Sequence, residues 1–169
     1  MKKLTLLITL YLVLGTTGIP QNSERIANLL AEADSLIAAN RLPEALAKTE
    51  KILSGAANNK TAHQYRINIY YLMQNNKEAL RYADEALKRF PQDPDFLYQR
   101  GVVNNSSGRY GKALEDFSDA LLSAQAGNLY KIYLNRGMSN YYILDYESAM
   151  TDFNKAIELD SNYASAYKS

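Results

Sequence analysis

Few side chains in this chain could do chemistry. There is one histidine, His63, and no cysteine among the 169 residues. Thiolate nucleophiles, disulfides and cysteine-ligated metals are therefore excluded. A zinc site gathers several His, Cys or carboxylate ligands, and His63 has no second His or Cys to join it. His63 lies four residues before Ile67, at the place that Leu97 and Tyr133 hold in later parts of the chain, and it is read as a packing residue. Asp93-Pro94-Asp95 and Asp160-Ser161-Asn162 are the two short acidic turns. A calcium loop needs more ligands and a central glycine, so these read as helix starts and hairpin exits. No glycine-rich phosphate loop and no nucleophile-elbow serine is present. The chain is expected not to be an enzyme and to use no cofactor or metal. Asn59-Lys60-Thr61 and Asn104-Asn105-Ser106 match the short N-glycosylation pattern, which matters only in a eukaryote.

Charge narrows the partners. The formal net charge is +1. Without Lys2 and Lys3 the balance is 17 basic to 18 acidic side chains. Neither balance favours a polyanion, so nucleic acid is not an expected partner. Hydrophobic residues at 47% and charged ones at 22% can bury a core, which argues against disorder. Four prolines and eight glycines leave long regular elements as the natural way to position side chains.

The first residues read as a leader. Met1-Lys2-Lys3 is followed by an uncharged run from Leu4 to Leu14, then by Gly15-Thr16-Thr17-Gly18. This is the order of a secretory signal peptide over 1–18, with cleavage after Gly18. Spanning a bilayer takes roughly 20 apolar residues, so a membrane link is expected only if the leader stays uncleaved. The folded part is expected to be exported, to a bacterial periplasm or cell surface.

The rest of the chain repeats. Ala45, Ala79, Ala113 and Ala149 each sit in a short helical string and step by 34, 34 and 36 residues. A fixed period of this size marks a solenoid whose units cover one another's apolar faces. Seven residues after each alanine come Ile52, Ala86, Ala120 and Ala156; four after it come Thr49, Ala83, Phe117 and Phe153. Three before it come Leu42, Asn76, Tyr110 and Tyr146; twelve before it come Ala33, Ile67, Gly101 and Gly137. Offsets of four and seven stay on one helix face. Small residues there let two helices of a hairpin approach, with the glycine on the facing helix at the same contact. The spacing predicts helices at 23–39 and 43–54, 60–74 and 77–90, 94–107 and 110–124, and 128–143 and 146–159. The two extra residues of the last step fall in the loop-like segment 123–128.

This pattern resembles the tetratricopeptide repeat family over about Ser23 to Tyr163. Tyr98-Gln99-Arg100-Gly101 through Phe117, and Asn135-Arg136-Gly137 through Ala156, match it best. The resemblance implies an all-α, right-handed superhelical solenoid of about four antiparallel hairpins. Its units are 23–59, 60–93, 94–127 and 128–163, and 164–169 reads as the start of an incomplete fifth. With no helix to cover it, the fourth hairpin should expose part of Phe153, Ala156 and Ile157, so self-association through this end is one expectation.

The resemblance also implies a concave groove lined by first helices, which binds a protein or peptide. Offsets of three and four place Gln64, Asn68 and Tyr71, then Tyr98, Val102 and Asn105, then Leu134, Met138 and Tyr141 along it, with Lys131 and Asn135 alongside. Amides there suit a peptide backbone, and the tyrosines and Met138 suit apolar side chains. Some members clamp a C-terminal carboxylate; Asn68 and Lys131 match that arrangement, while Gln64, Gln99 and Asn135 remove most of its positive charge. The expected function is an exported protein-interaction module. The alternative is the N-terminal sensor or scaffold part of a larger envelope or regulatory protein.

Overall fold

The computed structural model describes residues 21–124 and 129–160. The leader at 1–18, residues 125–128 of the inserted segment, the end of the fourth unit at 161–163 and the fifth-unit start at 164–169 lie outside these. The described residues form eight helices: α1 (Gln21–Ala38), α2 (Leu42–Gly55), α3 (Lys60–Leu72), α4 (Asn76–Arg89), α5 (Pro94–Ser106), α6 (Tyr110–Ser123), α7 (Leu129–Tyr142) and α8 (Tyr146–Leu159). They are the eight expected helices, with ends displaced by no more than two residues. No described helix is long and apolar enough to cross a membrane.

Local chemistry sets the ends. Asn59, Asn75 and Asp145 each accept a hydrogen bond from the backbone N–H three residues on, and Asp93 accepts from Asp95 and Phe96 with Pro94 in the first turn. Each hairpin turns at a residue with positive φ, five before the repeating alanine: Asn40, Gln74, Gly108 and Leu144. The four turns are therefore one conformation, and only Gly108 reaches it without a side-chain penalty.

Packing follows the repeat frame. Ala45, Ala79, Ala113 and Ala149 are buried, as are Ile52, Ala86, Ala120 and Ala156. A Cβ added to Gly101 would lie 2.6 Å from the Phe117 ring, and one on Gly137 would lie 2.8 Å from Phe153. The ring occupies the space the glycine vacates. In the second hairpin the volumes are exchanged: Ile67 is large, Ala83 is small, and both lie in one buried cluster. Ala33 and Thr49 hold these positions in the first hairpin, both buried. The exchange in the second hairpin thus conserves volume, which core packing tolerates best, while the first hairpin fills the site with two small side chains.

Each hairpin packs on the next, and the array curves. α1 approaches α3, α3 approaches α5 and α5 approaches α7, with Cα atoms within 8 Å. No such approach joins α2 to α4, α4 to α6 or α6 to α8. Units closer along their first helices than along their second helices must bend toward the first-helix side, so α1, α3, α5 and α7 line the inner surface. One expectation needs correction. Ala156 is buried, and of the three residues expected at the end face Ile157 is exposed and Phe153 half-buried.

Candidate functional site

A cleft of about 530 Å³ opens on the inner surface where α3, α5 and α7 converge. Lys60 and Gln64 come from α3, Asp95, Tyr98 and Gln99 from α5, and Lys131 and Ile132 from α7. Three of the nine expected groove residues, Gln64, Tyr98 and Lys131, are brought together here. Lys60 was not expected, and Gln99 had been considered only as a departure from the carboxylate clamp.

The polar groups of the cleft are differently engaged. Lys60 Nζ lies 2.8 Å from both Asp93 and Asp95. Burial pulls its ammonium down, and the bonds to the two carboxylates more than offset this, so it titrates above the ordinary lysine range. Gln64 Nε2 donates to Asp95 at 3.3 Å. Gln99 Nε2 donates to the Gln64 carbonyl at 3.1 Å, which fixes the orientation of the amide. Its Oε1 is buried and has no hydrogen-bond partner among the described residues. Lys131 is exposed, with its ammonium 5.8 Å from the Tyr130 ring. Burial pushes the Tyr98 phenol above its ordinary range, so it stays a neutral donor at physiological pH.

The other expected residues lie elsewhere. Asn105 binds the neighbouring helix: its Nδ2 donates to the Asn135 carbonyl at 3.1 Å and its Oδ1 accepts from Ser139 at 2.7 Å. Asn68 and Tyr71 are half-buried on α3, and Tyr71 packs against the core of its unit. Leu134, Met138 and Tyr141 are exposed on α7, 43%, 40% and 53% accessible, and none of them borders the cleft.

A second constellation runs behind the cleft, and sequence reasoning gave it no role. The residue before each frame glycine position is Glu32, Arg66, Arg100 or Arg136, and sixteen residues later stands Lys48, Tyr82, Asp116 or Asp152. Every pair meets. Lys48 pairs with Glu32; Arg66 stacks on Tyr82 at 3.8 Å; Arg100 reaches Asp116 at 2.6 Å; Arg136 reaches Asp152 at 2.7 Å. Asn104 and Asn140 donate to the same buried aspartates, at 2.8 and 3.2 Å. Where Tyr82 replaces the aspartate, Tyr70 replaces the asparagine and the two rings stack at 5.1 Å. Each arginine also reaches back to the preceding unit: Arg66 to Glu50, Arg100 to Asp84 and Arg136 to Ser118. The signal was available, since Arg66, Arg100 and Arg136 recur on the period. Asn104, spent on Asp116 and buried, is not displayed as a glycan acceptor.

His63 is buried between the Phe90 and Phe96 rings, at 5.8 and 6.5 Å. Its Nε2–H donates to the Ala57 carbonyl at 2.9 Å, and Nδ1 accepts from Arg66 at 3.2 Å. Both nitrogens are used by packing partners. Among the described residues no group of three or more His, Cys, Asp and Glu is placed to hold a metal ion.

Models of the tetratricopeptide repeat family match residues 66–128 and 130–163. The chain belongs to this family. Its glycine–ring contacts and inner first-helix surface are thus features of a tetratricopeptide array. DnaJ homolog subfamily C member 3 of Gallus gallus is 27% identical over 129 residues, which cover 68% of this chain and 25% of that protein. Hsp70-Hsp90 organizing protein 2 of Arabidopsis thaliana is 26% identical over 95 residues, 56% of this chain and 16% of that protein. The chain therefore spans a quarter or less of the length of these relatives. Among solved structures, MamA from Desulfovibrio magneticus RS-1 aligns with a TM-score of 0.67 at 19% identity, over 84% of this chain and 78% of that one. A crystal structure of MamA aligns at 0.69 and 17% identity, over 83% and 81%. These likenesses establish a shared tetratricopeptide solenoid fold. Such arrays are protein-interaction modules.

Proposed function

We propose that this protein is an exported interaction module that holds an extended segment of a partner polypeptide in the cleft across α3, α5 and α7. The observation that carries this reading is one cleft that gathers Tyr98, Lys131 and Gln99, whose buried Oε1 has no partner among the described residues. An acceptor without a partner takes a backbone N–H of the segment, and Lys131 takes an acidic side chain or terminal carboxylate. Lys60 is already neutralised by Asp93 and Asp95, so a two-lysine carboxylate clamp is not the arrangement offered. The test is selection of binding peptides by display against the whole protein, followed by calorimetry. Gln99→Leu and Lys131→Glu should each weaken the selected peptides about tenfold or more. Peptides bound equally well by both variants would reject the cleft. Export is supported by the leader pattern, and N-terminal sequencing of the protein recovered from cell fractions tests it.

A second reading has the array as the N-terminal sensor or scaffold part of a larger envelope or regulatory protein. The two relatives favour it, because the matched segment is 25% and 16% of their lengths. The intact mass of the native protein decides between a free module and a part.

A further inference from the structure

Eleven large apolar side chains are exposed among the described residues, and nine of them lie on α7, α8 and the turn between them. The repeat frame identifies what covers these positions elsewhere. Tyr98, Val102 and Asn105 precede Leu134, Met138 and Tyr141 by one unit, and Tyr98 and Asn105 lie against α7. Tyr98 and Asn105 hydrogen-bond to it, and Val102 packs on the cluster that contains Ile132. Tyr110, the counterpart of Tyr146, stacks on Tyr142 of α7 at 4.8 Å. Among the described residues the face of α7 and α8 has no helix over it, and it is shaped for one more first helix.

At the other end, α1 presents Asn28, Ala31, Glu32 and Ser35 outward, all exposed. Their counterparts on α7 are Ile132, Asn135, Arg136 and Ser139, which face the preceding unit. Three of the four positions on α1 match the bare face. Asn135 donates to the Tyr98 hydroxyl at 3.3 Å. At the bare face Leu134 replaces Tyr98, and on α1 Ala31 replaces Asn135, so a polar pair becomes an apolar one on both sides. Ser139 donates to Asn105. Ser35 keeps that hydroxyl, and Tyr141 in the place of Asn105 keeps an acceptor. At each internal joint an arginine of the first helix reaches Glu50, Asp84 or Ser118, five residues after the preceding alanine. On α1 the arginine is replaced by Glu32, and five residues after Ala149 stands Asn154. Donor and acceptor are exchanged across the joint, and Asn154 is the one residue of its four equivalents that carries N–H donors.

Asn28 is the exception. Its counterpart Ala62 is fully buried in one cluster with Ile52 and Leu53 of the unit before it, and Ile157 stands where Leu53 stands. An amide brought against Ile157 loses water without an apolar gain, so Asn28 weakens the joint and keeps it reversible.

We propose that α1 of a second copy of this chain seats on the face of α7 and α8, so that copies join head to tail. Such a joint uses two different surfaces and leaves both ends open, so it extends into a series rather than closing as a dimer. It lies apart from the cleft and would leave the cleft of every copy accessible.

Sedimentation velocity of the whole chain over a wide concentration range tests this. Mass should rise through dimer and trimer. Met138→Glu in the socket and Ala31→Arg on α1 are changes at exposed positions, and circular dichroism checks that both variants remain helical. Each should weaken association about tenfold or more. Mixing the two variants should give a dimer that grows no further, because only one intact joint remains. Asn28→Ala should tighten association about tenfold, since it removes the one mismatched side chain. Asn154→Asp should weaken association, and adding Glu32→Gln should restore it. A wild-type chain that stays monomeric throughout would overturn the proposal. So would an Ala31→Arg variant that still dimerises as the wild type does, since that is pairing of the α7 and α8 faces with each other.

Discussion

Asp116 shows how one buried carboxylate can organise three neighbouring polar groups. It is 3% exposed, and it accepts from Arg100 and Asn104 while Arg100 extends to Asp84 in the preceding unit. Asp116→Ala strands a partly buried guanidinium and a buried amide and should cost about 3 kcal/mol in urea unfolding. The equivalent Glu32–Lys48 pair is exposed, and Lys48→Ala should leave the urea midpoint nearly unchanged. Equal losses would mean that burial does not set the worth of these pairs. His63 gives a pH dependence. Burial, and then the nearby Arg66 and Arg89 charges, hold its imidazole below the ordinary range. The unfolded chain therefore takes up the proton first, near pH ~6.5. Stability should be flat above that value, should fall as pH drops through it, and should level off once the native imidazole also titrates. The His63→Gln variant should lack this step in urea midpoints measured from mildly alkaline to mildly acidic pH.

At the scale of the helix and the hairpin, the four turns share one left-handed residue, yet the chain spends Asn, Gln, Gly and Leu on it. Leu144 is the costly choice, with φ 67° and 69% exposure. Leu144→Gly should raise stability by about 0.5–1 kcal/mol, the relief of the left-handed penalty less the added freedom of the unfolded chain. Thermal melting checks the sign. The helices themselves were legible in the sequence because the alanines and their +4 and +7 companions recur on one period. The groove was legible only in part. Offsets of three and four select a helix face, but they cannot say whether that face meets a ligand or the next helix. Tyr98 meets both, Asn105 is consumed by Asn135 and Ser139, and Leu134 lies bare because no described helix follows it. The arginine series was missed for a different reason. A charge on a helix reads as a solvated side chain until its partner sixteen residues away is seen to be buried.

For the whole molecule, stability is close to a sum over units and the joints between them. α3 to α6 belong to units with a neighbour on each side, whereas α1 and α8 lie in units with one described neighbour. Hydrogen exchange should therefore find the slowest amides in α3, α4, α5 and α6, with earlier exchange in α1 and α8. Uniform protection along the array would show instead that it opens as a single body.

The curvature has a mechanical consequence. First helices touch along the inner line and second helices do not, so the inner line acts as a row of hinges. On the outer side the span between units is bridged by ionic struts such as Arg100 to Asp84 and Arg66 to Glu50. Hinges of packed side chains resist salt, while partly exposed struts are screened by it. The joint between units is carried mainly by the packing of each second helix on the next first helix, so added salt should loosen the outer side only slightly.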